Sequence, residues 1–528
     1  MARGKAAMPI VRRLGFHERL MCARNVLDTY FGTVVASRYT IPTNSAAIGS
    51  SQDLEQAIER AIAATILAQP LMQVGLLNPT KTKSAWSYLE TLDLQQHIVW
   101  INAPNGDDYE GFVRSTSRDR VDEPFPDSAN RPGWSVTVIR QGDAATSIDI
   151  LFNWNHAYFD GTGGKIFHET LLRILNEQAS TRLQSQAADL VPQLRDHILT
   201  TNTRPKDKQF TPSAEKIVPA SLTLPYVAKT VVHELSPPWL FSPDPASSAW
   251  APTRLPPGVE YETIVRGFFI DSQSLNAILE KCRIHNTTLT ALLHGIIFVC
   301  LMPALAKRNI EAPAASAETA INLRRFFKKT NKPTKNIPAG FNPDQSMGNC
   351  VSIFMTRFGE TLTQDVNKAS AKASQSGMSE GERMTALQHL VWTATGVARD
   401  GISSRLGQGM KNDAIGLLPF AGDMKDYYKL LMEKPRYCAW LVTNIGVIDG
   451  KGSAAPNEEG GRSAWAIEQC QFTLSADLTG PFYQFATMTV KGGELSVNLS
   501  WSRGIIDETI GEELLVGVEK WLHFIAGK

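Results

Sequence analysis

Residues 146–164, TSIDILFNWNHAYFDGTGG, gather the side chains of this 528-residue chain best suited to chemistry. Ile148, Ile150, Phe152, Trp154 and His156 share one parity, so in an extended strand they point to one face of a sheet. A histidine ending a row of large apolar side chains is aimed inward, where loss of water favours the neutral ring. A neutral imidazole with a free nitrogen can take a proton from an alcohol, amine or thiol near pH 7. Three residues separate His156 from Asp160, which places the carboxylate past a bend. There it braces the turn through backbone N–H groups or an arginine, or caps the following helix. Gly161 to Gly164 permit a sharp turn and close backbone approach. The same layout also describes a buried corner with no chemistry, and a lone buried histidine is more often structural than catalytic.

The elements that position this stretch read as mixed α/β. Helical spacing covers 14–28, 52–68 and 164–177, the second with Leu54, Ile58, Ile62 and Ile66 four apart. Strands are expected at 33–41, 71–77, 97–102, 134–140 and 146–155, closing a first domain at 1–180. Residues 181–262 are a proline-rich crossover. A second domain, 263–528, restarts with TIVRGFFI, after which Asp271 or Ser272 caps a helix to about His285. Thr287 or Thr288 opens a long apolar helix whose His294, Gly295 and Pro303 favour a core helix over a bilayer span. Further strands are expected at 319–323, 350–358, 438–445, 465–474, 482–490 and 494–501, with KGGE as a hairpin turn, before a helix at 509–526.

Composition narrows the function. Lys plus Arg is 53 against 52 acids, a net charge of +1, which gives no support for nucleic-acid binding or a charged membrane surface. Six cysteines without a CxxC pair argue against a disulfide scaffold or a zinc site, and a reducing, cytoplasmic compartment is expected. No apolar stretch follows the basic N-terminus as a signal peptide requires. Gly377, Ser379 and Gly381 spell GxSxG, but the polar helical run before them is not the strand a nucleophile elbow needs. GTGGK at 161–165 lacks the first glycine and the Ser/Thr of a phosphate loop. Arg324, Arg325, Lys328 and Lys329 open a basic run that could hold phosphates or simply face solvent. Thr443 and Asn444 of VTNIG could donate to an oxyanion or merely end a strand.

NHAYFDG resembles the HxxxD(G) site of the CoA-dependent acyltransferase superfamily, which includes chloramphenicol acetyltransferase, plant BAHD enzymes and peptide-synthetase condensation domains. Within it the chain is similar to the fungal alcohol O-acetyltransferases. Their N-terminal GxxExxxxxR…Y pattern is carried here by Gly15, Glu18, Arg24 and Tyr39, and INLRRF, MGNCVS and VTNIGV resemble strands lining the family's channel. The resemblance implies two chloramphenicol-acetyltransferase-like domains with a channel between them. It implies His156 as general base, Asp160 as a structural acid paired with Arg324, and Gly161 as support for the turn. Acetyl-CoA would be co-substrate with no permanently bound cofactor or metal, a hydrophobic alcohol the acceptor, and the protein a monomer. Asn155 stands where condensation domains usually carry a second histidine, and the BAHD DFGWG motif is absent. Two rival readings stay open: a carrier-protein-dependent or amide-forming enzyme, and a non-catalytic binding protein of the same fold.

Overall fold

The computed structural model describes the chain apart from residues 1–8, 43–49, 82, 105, 107, 143–144, 185–190, 202–209, 236–248, 256–258, 329–336, 339 and 452–463. The first half builds a sheet from β1 (Thr33–Thr40), β2 (Ile98–Asn102), β3 (Trp134–Arg140) and β4 (Ser147–Trp154). β4 lies between β1 and β3, antiparallel to both, and β2 joins β3 in parallel. Alternation along β4 sends Ile148, Ile150, Phe152 and Trp154 into one core and Leu151 into another with Val34 and Val113. Four helices belong to this lobe: α1 (Phe16–Val26), α2 (Ser51–Ala68), α3 (Tyr109–Val121) and α4 (Gly161–Gln184). α4 packs against β1 on one face and α3 against β1 and β4 on the other, so the strand before His156 is buried on both faces.

The second half forms a larger mixed sheet. Its strands are β5 (Thr263–Ile270), β6 (Ala314–Asn322), β7 (Val351–Phe358), β8 (Trp440–Ile448), and, after β9 (Ala466–Leu474), β10 (Tyr483–Val490) and β11 (Leu495–Ser502). The order β6-β8-β10-β11-β5 is parallel across its first two pairings and antiparallel thereafter, and β7 pairs with β6. β9 leaves this sheet and pairs antiparallel with β1, register Ala466↔Thr40 to Leu474↔Thr33. A strand from the second half thus completes the first sheet and stitches the lobes along the seam that carries His156.

Helices α5 (Ser272–Ile284) and α6 (Leu289–Lys307) start where cap chemistry places them. Asp271 accepts from Ser274 N at 2.9 Å and Thr288 from Ala291 N at 3.3 Å. By length and composition α6 could cross a membrane, yet 67% of its apolar window is buried inside the protein. Its His294 is satisfied: Trp440 Nε1–H donates to Nδ1 at 2.9 Å, leaving Nε2–H for Thr319 Oγ1 at 2.9 Å. Two long helices, α7 (Glu380–Gly407) and α8 (Glu508–Ala526), pack against α6.

Two local expectations need correction. β4 ends at Trp154, so His156 lies in a turn and the strand's pleat does not aim it. Gly161–Gly164 are not a loop but the first turn of α4, which begins directly after Asp160.

Candidate active site

The turn that presents His156 is built from its neighbours' polar groups. Asn155 N donates to Gly133 O at 2.8 Å, and Asn155 Oδ1 accepts from Ala157 N at 2.9 Å, a side-chain turn that tightens the backbone at the histidine. The Trp154 indole N–H donates to Phe159 O at 2.8 Å and closes the loop from beneath. His156 keeps part of its surface open while Asn155, Ala157, Tyr158 and Phe159 are buried. Loss of water nevertheless lowers its pKa to about 4, with the Arg24 cation adding to the effect and Asp160 opposing it. The ring is partly accessible, and it is uncharged at neutral pH.

Asp160 does not face the imidazole; it ties the turn to three other elements. Oδ1 accepts from Gly163 N at 2.8 Å, inside the first turn of α4. Oδ2 accepts from Arg324 Nη1 at 2.6 Å and from Cys350 N at 2.7 Å. Arg324 spends its remaining donors on Pro343 O and Gly348 O, each at 3.0 Å. With Asp160 3% and Arg324 4% exposed, this is a buried, fully hydrogen-bonded ion pair across the lobe seam. Both carboxylate oxygens are thus committed to structural partners. The glycines allow close packing. A Cβ on Gly161 would lie 2.6 Å from Ile445 Cγ2, and one on Gly164 would lie 2.3 Å from the Trp154 ring.

Asn349, which stands just before β7, was not singled out from the sequence. It is 3% exposed, and its Nδ2 donates to the carbonyl oxygen of His156 and lies 3.2 Å from His156 Nδ1. An amide nitrogen only donates, so a ring hydrogen on Nδ1, turned to the residue's own carbonyl oxygen to leave Nε2 free as acceptor, makes the 3.2 Å approach a contact rather than a hydrogen bond. Asn349 then serves that same carbonyl and holds the ring's backbone anchor. The only available sign was the asparagine in MGNCVS next to Cys350, whose N–H binds Asp160.

The GxxE…R…Y residues prove to be scaffolding around this point. Glu18 takes a two-pronged bond from Arg12 at 2.6 and 2.7 Å and caps Gly15 N at 2.6 Å. Tyr39 O–H lies 2.9 Å from His168 Nδ1. Arg24 pairs with Asp477 of the second half and stacks over Tyr30, 4.5 Å from its ring centre; the Tyr30 ring is 5.7 Å from that of His156. His17, on the same helix, is 5% exposed and lowered to about 4 by burial and by the proximity of His156.

The remaining candidates separate. On β8, Leu441 and Ile445 pack against the first lobe's core, so Thr443, of the same parity, faces the seam near Gly161. Asn444 turns away, its Nδ2 3.4 Å from Thr290 of α6 and its Oδ1 accepting from Gly446 N at 2.9 Å. Arg325 and Lys328 are exposed just past the end of β6, and Lys329 lies outside the described residues. Ser379 of GxSxG caps α7 through a reciprocal bond set with Glu382. Among the described residues no group of three or more His, Cys, Asp or Glu could hold a metal.

Residues 123–340 match the family model described as alcohol acetyltransferase. The chain is 25% identical to a probable alcohol acetyltransferase, FCK4, of Fusarium pseudograminearum over 97% of its own length and 95% of that protein's. It is 19% identical to a probable alcohol acetyltransferase, crmB, of Aspergillus fumigatus, covering 75% of this chain and 73% of that one. Its fold is similar to that of the trichothecene 15-O-acetyltransferase TRI3 of Fusarium sporotrichioides, with a TM-score of 0.66 at 12% identity over 98% and 94% of the two chains. The first condensation domain of the CDA synthetase shares the fold at a TM-score of 0.54 and 12% identity, over 98% of this chain and 95% of that one. With its two lobes and the HxxxDG turn at their seam, the chain is similar to the alcohol acetyltransferases in sequence and shares the two-lobed fold of TRI3.

Proposed function

We propose that the protein transfers acetyl from acetyl-CoA to a hydroxyl of a hydrophobic alcohol, with His156 as general base. The supporting observation is a reachable, desolvated, uncharged imidazole whose nearest acid, Asp160, is fully engaged by Arg324 and two backbone N–H groups. One proton carrier is enough for this chemistry. Nε2 takes the acceptor's hydroxyl proton as its oxygen attacks the thioester carbonyl carbon. The carbonyl π pair moves onto oxygen. Collapse re-forms the carbonyl, breaks the C–S bond, and the imidazolium returns the proton to the leaving thiolate. A positioned base of this kind contributes about 10²–10⁴ in rate. Thr443, facing the seam beside the HxxxDG turn, is the residue we assign to the oxyanion, and the exposed Arg325 and Lys328 to the phosphates of CoA.

Purified protein supplied with acetyl-CoA and a mixed alcohol panel should form acetate esters and release free CoA thiol in equal amounts, read by mass spectrometry and thiol titration. Turnover that requires acetyl tethered to a carrier protein, with none from free acetyl-CoA, would contradict the proposal. Both lobes that frame the turn come from a single chain.

A further inference from the structure

Of the buried carboxyls among the described residues, one stands without an ion-pair partner. Glu318 lies on β6, and its parallel register with Leu441 of β8 sets it on the seam face, whereas Thr319 turns to His294 in the core. Asn322, on the same face, reaches Thr162 in the first turn of α4 at 3.3 Å. Glu318 therefore sits two same-face positions along the seam from Asn322, about 13 Å away at the rise of an extended strand. Arg325 and Lys328 follow the C-terminal end of β6, while Glu318 lies at the middle of the strand.

Glu318 is 3% exposed and has no ion-pair partner among the described residues. Arg24, whose charge also acts on it, is paired with Asp477. Among the described residues one hydrogen bond reaches its carboxyl: Tyr437 O–H donates to Oε1 at 2.7 Å. Burial without a counter-charge raises the acid to about 7. Tyr437 is 46% exposed, so the hydroxyl that meets Glu318 belongs to a ring that solvent reaches. Buried acids are ordinarily paired, and one left without a counter-charge on the seam face is complementary to a ligand donor.

We propose that Glu318, oriented by Tyr437, accepts a hydrogen bond from a second hydroxyl of the acceptor, which makes the substrate class an apolar skeleton bearing at least two hydroxyls. This rests on the acetyl-transfer reading above and narrows it. A site built to bind a hydroxyl rejects the analogue that lacks it, because its own polar group is then left unpaired.

The test is the ratio of kcat/KM for α,ω-alkanediols of six to twelve carbons to that for the mono-alcohols of equal length, with acetyl-CoA saturating. The best-spaced diol should exceed its mono-alcohol by about tenfold in the wild type. Glu318→Leu should bring that ratio to about one, and Glu318→Gln, which keeps an acceptor oxygen, should restore part of it. The ratio is independent of the fraction of folded enzyme. A wild type without diol preference, or a Glu318→Leu enzyme with the ratio intact, overturns the assignment, while ester formation from the mono-alcohols shows separately that acetyl transfer stands.

Discussion

Asp160→Asn separates a brace from a catalyst. The substitution keeps one acceptor oxygen, which can serve Gly163 N. It places an NH₂ or a neutral oxygen where Oδ2 now receives Arg324 Nη1 at 2.6 Å and Cys350 N at 2.7 Å. Arg324, 4% exposed, retains Pro343 O and Gly348 O but loses its counter-charge. Removing one partner of a buried, hydrogen-bonded pair costs about 3–5 kcal/mol, because the remaining charge stays out of water. That is a large part of a typical 5–15 kcal/mol of stability. Urea unfolding followed by tryptophan fluorescence should therefore show a lower midpoint at unchanged slope. Activity should fall alongside the loss of the native seam, and part of it should return at low temperature. The reasoning fails if Asp160→Asn unfolds at the wild-type midpoint and is as inactive as a His156 variant; Asp160 would then take part in the chemistry itself.

Asn349→Ala should lower kcat about tenfold, with little change in KM for acetyl-CoA, because His156 loses the donor on its carbonyl; unchanged steady-state kinetics would remove Asn349 from the account. Gly164→Ala forces a methyl against the Trp154 ring and should cost about 1–3 kcal/mol by denaturant midpoint. Acid should destabilise the fold. His17, His97, His156 and His168 are lowered to about 4 by burial, so between pH 6.5 and 4 the unfolded chain binds more protons than the native one. Their contribution is whole above pH 6.5 and is lost as pH falls toward 4. A stability flat across that window, by unfolding at stepped pH, would contradict their burial as neutral rings.

Regular elements were the legible part of this chain. Period-two runs such as TIVRGFFI and the capped helices at Asp271 and Thr288 start and stop as their patterns require, because burial and capping act locally. What sequence spacing cannot carry is long-range closure. Asp160 and Arg324 are 164 positions apart, and their meeting came into view only through a family resemblance. Asn349 and His156 are 193 apart, and nothing local marks the contact. The crossing of β9 into the first sheet is equally silent, since its alternation fits a strand in either lobe. At the turn itself the pattern misled: parity was extended two residues past the end of β4, and a glycine run that packs tightly was taken for one that bends.

The central claim is tested most directly by the pH dependence of kcat/KM for wild type beside His156→Ala. Wild-type activity should stay on a plateau at neutral pH and fall only as the medium approaches pH 4, where the buried ring takes up a proton. His156→Ala should lose about 10²–10⁴ of activity while unfolding near the wild-type midpoint. A variant that keeps full acetyl transfer, or a wild-type profile that already collapses near pH 6.5, would contradict the account.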